Sequence, residues 1–291
     1  MAIKFGNKKF EFFASSGSLG FDGLGWPWEK CLPKKYFDPS LFCVVLKTIT
    51  PDERQGNGRI PWFKVRPIYE NGELVGFVNC LGLPNPGFLG WKTKYLAKID
   101  FNRDVVFSIA SYGVELSSIT REFNSLPLTA VELNASCPNT EEEMTENAES
   151  TIDSCRRLYE NCRHPIILKL SYAQNFCRIA REAERYVAAI SFNTVPWNLI
   201  FPDGSGYFKK YGGGGVSGKI VRWFYEDMAK KLMNYCNTPI IVPVWDYEDI
   251  IKNEEIGASA HSFGSVFIAY PWFPTLAVKH RQKEKKWNRL V

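Results

Sequence analysis

Six consecutive residues, Asn134-Ala135-Ser136-Cys137-Pro138-Asn139, follow directly on the apolar run Leu128 to Leu133. Asn134 and Asn139 can each donate and accept hydrogen bonds, which suits a planar, amide-rich ligand. Cys137 between them can act as an acid or a base once part of it is thiolate. Pro138 has no backbone N–H to offer a neighbouring strand, so the run ends there. The competing reading is a strand end with a buried thiol and an Asn-Pro-type turn. That reading must also explain why polar groups stand at the ends of most other apolar runs.

Eight short runs recur along the chain: Phe10 to Ala14, Phe42 to Leu46, Val105 to Ile109, Ala130 to Leu133, Ile166 to Leu170, Ala188 to Phe192, Ile240 to Val244 and Ala260 to Phe263. Several are apolar almost throughout, as parallel strands covered on both faces are. Helical patterns separate the later ones. Thr140-Glu141-Glu142-Glu143 is a capping-box pattern that opens a helix running to about Cys162. Further helices are predicted over 174–186, 217–235 and 247–256, and from Phe273 onward. Eight strands alternating with helices predict an α/β (β/α)8 TIM barrel, one domain over residues 1–291. Two long early gaps rich in Gly, Pro and Trp are then excursions over the C-terminal rim of the strands.

Active sites of such barrels form where the strands end. Those ends read Ser15-Ser16-Gly17, Lys47-Thr48, Ser108, Asn134 to Asn139, Lys169, Asn193-Thr194, Val244-Trp245-Asp246 and Gly264-Ser265. Lys47 and Lys169 on one rim repel each other unless something anionic or electron-rich lies between them. A reduced flavin or a carboxylate-bearing substrate would serve. Gly212 to Gly215 and Gly264-Ser265 expose backbone N–H groups able to hold a phosphate.

Composition narrows the class. With 45% hydrophobic and 23% charged residues the 291-residue chain is ordinary globular material. No apolar run approaches the roughly 20 residues that span a bilayer, so no membrane association is expected and the protein is read as soluble and cytoplasmic. The eight cysteines are scattered without a C-x-x-C pair, which supports neither zinc nor an iron–sulfur cluster, and no metal site is expected. Lys279-His280-Arg281-Gln282-Lys283-Glu284-Lys285-Lys286 reads as the solvated face of a last helix rather than a nucleic-acid patch.

Taken in order, these segments resemble the dihydroorotate dehydrogenases from about Phe10 to Pro274. Ala14-Ser15-Ser16-Gly17 with Gly20-Phe21, Leu46-Lys47-Thr48-Ile49-Thr50 and Arg54-Gln55-Gly56-Asn57 are similar to the family's first two strand ends. Asn79-Cys80-Leu81-Gly82-Leu83-Pro84-Asn85-Pro86-Gly87 resembles its N-x-x-G-L-x-N-x-G substrate loop. Phe107-Ser108-Ile109-Ala110, Asn134 to Asn139, Lys169-Leu170, Asn193-Thr194 and Gly214-Gly215-Val216-Ser217-Gly218 follow in the family's order.

The resemblance implies FMN-dependent oxidation of dihydroorotate to orotate in pyrimidine biosynthesis. Cys137 would be the base, with Lys47 beside it facing substrate and flavin. Asn79, Asn134, Asn139, Asn193 and Thr194 would hold the pyrimidine ring, lined by Leu81, Gly82 and Leu83. Ala14, Ser15, Lys47, Thr48, Asn134, Lys169, Gly214, Gly215, Gly264 and Ser265 would contact FMN, with Lys169 at its N1–O2 edge. The resemblance also implies a homodimer. Its members pass electrons to fumarate directly or to NAD through an iron–sulfur electron-transfer subunit; fumarate is the expectation here. A related dihydropyrimidine oxidoreductase, or a non-catalytic barrel that has lost FMN, are the alternatives. One segment departs from the pattern. Val244-Trp245-Asp246 stands where the family carries a glycine pair around the FMN phosphate.

Overall fold

Strands that are apolar on both faces need cover on both, and the chain supplies it by closing them into a cylinder wrapped by helices. The structure, a computed structural model, describes residues 2–58, 64–136, 148–202 and 213–287. In chain order the strands and longer helices are β1 (Ile3–Phe5), β2 (Lys8–Phe10), β3 (Phe12–Ala14), β4 (Cys43–Val45), β5 (Val65–Glu70), β6 (Glu73–Asn79), α1 (Gly87–Lys94), β7 (Val105–Ile109), α2 (Gly113–Phe123), β8 (Ala130–Asn134), α3 (Ala148–Asn161), β9 (Ile166–Leu170) and α4 (Phe176–Ala183). They continue as β10 (Ala189–Phe192), β11 (Val195–Pro196), α5 (Trp197–Ile200), β12 (Gly215–Gly218), α6 (Arg222–Tyr235), β13 (Ile240–Val244), α7 (Tyr247–Glu255), β14 (Ala260–Phe263), α8 (Val266–Ala269) and α9 (Phe273–Trp287).

Strands β3, β4, β7, β8, β9, β10, β13 and β14 form a closed barrel. Every neighbouring pair is parallel, and the ring closes where Phe263 pairs with Ala14. These are the eight runs expected from the sequence, and the fold is the (β/α)8 barrel. Three local readings need correction. Phe10 belongs to the β1–β2 hairpin, whose two-residue loop turns at Gly6 with φ +56°, and Glu11 separates it from the barrel. Ser217 and Gly218 lie in β12, so the helix expected from 217 begins as α6 at Arg222. Helix α2 has no counterpart in the sequence reading. Thr140 to Glu143 lie outside the described residues; α3 itself ends at Asn161, close to the expected Cys162.

The longer excursions build a second sheet, β11-β12-β6-β5, above the barrel. Its inner strands approach too closely for side chains. A Cβ on Gly76 would stand 2.3 Å from the Ser217 carbonyl oxygen, and one on Gly218 2.5 Å from the Gly76 Cα. This explains glycines that a helix start would not need.

Inside the barrel, side chains alternate with period two. The lower layer is Phe13, Val45, Val106, Ala130, Ile167, Ala189, Ile241 and Ala260, and Ile3, Phe5 and Phe10 of the hairpin plug it from below. Two residues further along each strand stand Ser15, Lys47, Ser108, Glu132, Lys169, Ser191, Pro243 and Ser262. Seven of these eight positions are polar; strand β13 alone breaks the pattern.

Helix α9 carries the basic segment. His280, Lys283 and Lys286 are exposed, as the sequence reading has it. Arg281 and Lys285 instead turn inward: Arg281 pairs with Glu254, and Lys285 with Glu11. Beneath them lies His261 of β14, 0% exposed and stacked on Phe12 with ring centroids 5.5 Å apart. The facing His261 ring, and then Arg281 and Lys285, hold the Glu254 carboxyl down at about 2 against a burial that would raise it. A carboxyl held below its ordinary 4.5 stabilises the fold fully above that value and stops doing so as pH falls through its folded pKa. Denaturant titrations from pH 5 to pH 2 should therefore show Glu254→Gln with a flatter acid slope than the parent chain. Identical slopes would remove Glu254 from the account.

Candidate active site

Thr48 is the hub of the rim. Its hydroxyl lies 2.8 Å from Ser16 Oγ and 2.8 Å from Ser108 Oγ, and accepts from Asn134 Nδ2 at 2.8 Å. Its own N–H donates to Ser16 Oγ at 2.9 Å. Asn134 Oδ1 in turn accepts from the N–H and hydroxyl of Ser136 at 3.1 and 2.9 Å. The first, second, third and fourth barrel strands are thus tied together by buried side chains. An amide with both ends engaged keeps one orientation, since leaving a buried donor unpaired costs about 1–3 kcal/mol.

A narrow pocket, partly open to solvent, lies beside this network. Ser15, Glu132, Lys169, Ser191, Asn193 and Ser262 give it polar walls over a floor of Phe13, Val45, Ile167 and Ile241. Lys169 is 6% exposed, and its ammonium has no hydrogen-bond or ion-pair partner among the described residues. Burying an uncompensated charge is expensive, so the position fits an anionic or electron-rich ligand. Glu132, which the sequence reading gave no role, is also buried. It accepts from Ser108 Oγ at 2.7 Å and Ser191 Oγ at 3.3 Å. Its signal was a charged residue in the middle of an otherwise apolar strand. Asn193 is fixed through its backbone, whose carbonyl accepts from Tyr225 Oη at 2.8 Å. Burial raises the Tyr225 phenol far above its ordinary range, so it remains a donor.

The loop after β6 is held from below by the Arg54 to Asn57 segment. Asn57 donates its backbone N–H to the Leu81 carbonyl and its Nδ2 to the Cys80 carbonyl, both at 2.9 Å. Gly82 must be glycine: its φ is +71°, and a Cβ would sit 2.9 Å from Asn57. Leu83 takes φ +57°, a conformation bulky side chains rarely adopt. Buried Asn85 fixes it, donating to the Leu83 carbonyl at 2.9 Å while its Oδ1 accepts from the Thr50 and Gly87 N–H groups at 3.0 Å. Strain held this firmly is a mark of a functional loop. Asn57 and Asn85 were quoted in motifs but given no place in the site; both act as struts.

The other expected residues fall into distinguishable groups. Ala14 ends β3, and Gly264 lies against Ser15, where a Cβ would meet the Ser15 Cβ at 3.6 Å. Ser265 caps the short helix α8. Asn79 ends β6, and its Nδ2 donates to the Gly215 carbonyl at 3.3 Å. Gly214 accepts from the Trp197 N–H. Thr194 follows Asn193, half-buried, between β10 and β11. Lys47 is half-buried along the Phe21 ring, with Nζ 5.6 Å from its centroid. Cys137, Asn139 and Gly212 lie outside the described residues. Among the described thiols, burial pushes Cys155 up to about 12 and Cys43 well above its ordinary value, which makes them inert. Among the described residues, the cluster able to ligate a metal is Glu11, Glu254 and His261, away from this rim, with its carboxylates paired to Lys285 and Arg281.

Known proteins carry the same organisation. The family model described as Dihydroorotate dehydrogenase matches residues 20–279. The catalytic subunit of dihydroorotate dehydrogenase B (NAD(+)) from Brachyspira hyodysenteriae is 28% identical over 299 residues, covering 97% of this chain and 92% of that protein. The corresponding subunit from Carboxydothermus hydrogenoformans is 29% identical over 280 residues, covering 89% and 83%. A crystal structure of the Eimeria tenella enzyme in complex with ferulenol superposes with a TM-score of 0.67 at 14% identity, over 95% of this chain and 81% of that one, and shares the fold. Among the described residues no helix is long and apolar enough to cross a membrane. The chain belongs to the dihydroorotate dehydrogenase family and is an oxidoreductase acting on a CH–CH bond.

Proposed function

We propose that this chain oxidises dihydroorotate to orotate, with FMN as cofactor and the whole chain as one flavin-binding domain in the cytoplasm. The observation that carries the reading is the nearly buried, unpartnered Lys169 ammonium in a polar layer beside Asn134 and Asn193. Such a group fits the electron-rich edge of a flavin ring, and Ser15, Thr48 and Gly264 around the same mouth fit its hydrogen-bonding and packing needs. When bound, the flavin supplies the acceptor for a hydride leaving the substrate.

The rest is done by this chain's side chains. Cys137 takes the proton from the substrate carbon next to the carbonyl. Asn134, Asn139 and Asn193, with Asn79, orient the pyrimidine by matched amide hydrogen bonds. Thr194 and the Leu81 to Leu83 backbone close the pocket around it. Lys47 places a positive charge near the substrate, and Lys169 stabilises negative charge that develops on the opposite side. Thr48 holds Asn134 in register throughout.

For the electron acceptor, the curated relatives described above are named as catalytic subunits of the NAD(+) type, which supports transfer through an iron–sulfur partner subunit. The Gly82-Leu83-Pro84-Asn85 loop is the feature that favours fumarate, the acceptor expected from the sequence. A homodimer completes the proposal.

Bleaching of the flavin under anaerobic conditions tests the reaction. Dihydroorotate should bleach it and dihydrouracil should not; a chain that stays colourless after flavin is added refutes the proposal. Cys137→Ala should lower the bleaching rate by about 10²–10⁴-fold with flavin still bound. Because thiolate is the active form, the parent rate should climb as pH rises toward roughly 8.5 and level off above it. Lys169→Gln should slow bleaching on the order of 10²-fold. With the purified chain alone, rapid turnover on fumarate would support direct transfer, and its absence would support the partner subunit.

A further inference from the structure

The end of barrel strand β13 is the one place where the rim departs from its polar pattern, and three observations describe what replaces it. The first is steric. Trp245 occupies the rim position two residues beyond Pro243 and is 6% exposed. Its ring lies between Phe77 of the upper sheet, at 6.3 Å, and Tyr270 at the end of α8, at 6.1 Å. It also covers Gly218, where a Cβ would meet the indole at 3.2 Å.

The second concerns backbone donors. The Trp245 and Asp246 N–H groups both donate to Asp249 Oδ2, at 2.7 and 3.2 Å, and the Asp249 N–H donates to Asp246 Oδ1 at 3.2 Å. Helix α7 thereby caps its own N-terminus with a reciprocal carboxylate pair. The third is charge. Buried Asp249 and partly exposed Asp246 stand at that helix end, and Arg222 is committed to both, at 2.5 and 2.6 Å, with Glu248 at 3.2 Å.

Barrels of this architecture commonly hold a ligand phosphate between the loops after strands seven and eight, on free N–H groups at a helix N-terminus. At the end of the seventh strand the space is filled by an indole, the Trp245, Asp246 and Asp249 N–H groups are consumed, and the side chains at the helix end are carboxylates. We propose that this chain, taken as a flavin protein in accord with the function above, grips its flavin by the ring system and not by the ribityl phosphate, so that FMN and riboflavin bind almost equally.

The residues that would recognise the ring, Lys169, Asn134, Thr48 and Ser15, stand together at the rim. Nothing comparable remains at the seventh strand for a dianion. Arg222, the first residue of α6, is already paired with three carboxylates.

Fluorescence-quenching titrations of the flavin-stripped chain with FMN and with riboflavin test the inference. Dissociation constants within tenfold of each other are expected. FMN binding more than tenfold tighter overturns the inference and leaves the flavin reading standing. Failure of both flavins to bind overturns the flavin reading and this inference with it. Arg222→Ala adds an internal control: it should weaken both flavins by the same factor or neither, and a selective loss of FMN would show that Arg222 holds the phosphate after all.

Discussion

A nearly buried positive charge governs the upper half of this barrel. Lys169 is 6% exposed, in the wall of a narrow pocket, and forms no ion pair with any described residue. A protein tolerates such a group when binding supplies what folding withholds. The neighbouring polar residues hold one another in place. Glu132 is satisfied by two serine hydroxyls, and Asn134 by Thr48 and Ser136, so these polar groups are fixed before anything arrives. Their orientation is set by one another, which is what preorganisation means at the level of hydrogen bonds.

The apolar lower layer makes this possible. Phe13, Ile167 and Ile241, closed from beneath by the hairpin residues Ile3, Phe5 and Phe10, give the cylinder a dry and rigid floor. Polar residues at the next level then sit on strands whose spacing the ladder fixes. The excursions contribute the remaining wall. The upper sheet brings Asn79 against Gly215, and Asn57 and Asn85 hold the loop between them and the barrel in a backbone shape that Leu83 would not choose alone.

Strand β13 shows how one part of a shared architecture can be given other work. Trp245 bridges the upper sheet and the helix after the eighth strand, and the Asp246–Asp249–Arg222 cluster stabilises the start of α7. An ion pair on a helix end with a reciprocal cap replaces an anion that would otherwise occupy it. The rim therefore keeps its polar layer on seven strands, while at β13 the corresponding groups are tied into internal structure.

Much of this was legible in the chain. Short, largely apolar runs separated by helical patterns gave the eight barrel strands, and the polar residues at their ends marked where a site would lie. Motifs such as Asn134 to Asn139 and Asn79 to Gly87 named the family, because side-chain type and spacing survive in one dimension. Other features depend on distance in space and could not be read there. Gly76 and Gly218 are glycines only because β6 and β12 touch. Glu132 belongs to the site only because Ser108 and Ser191 come from the strands on one side and two strands away on the other. Asp246 stood out in the sequence only as a departure from the family's glycine pair, and the fold shows it as half of a cap closed by a residue three positions on and an arginine from another helix. Sequence by itself determined which groups stand at the rim; tertiary structure alone decided which of them are spent on one another and which remain for a ligand, since burial and hydrogen-bond partnership are properties of neighbours in space.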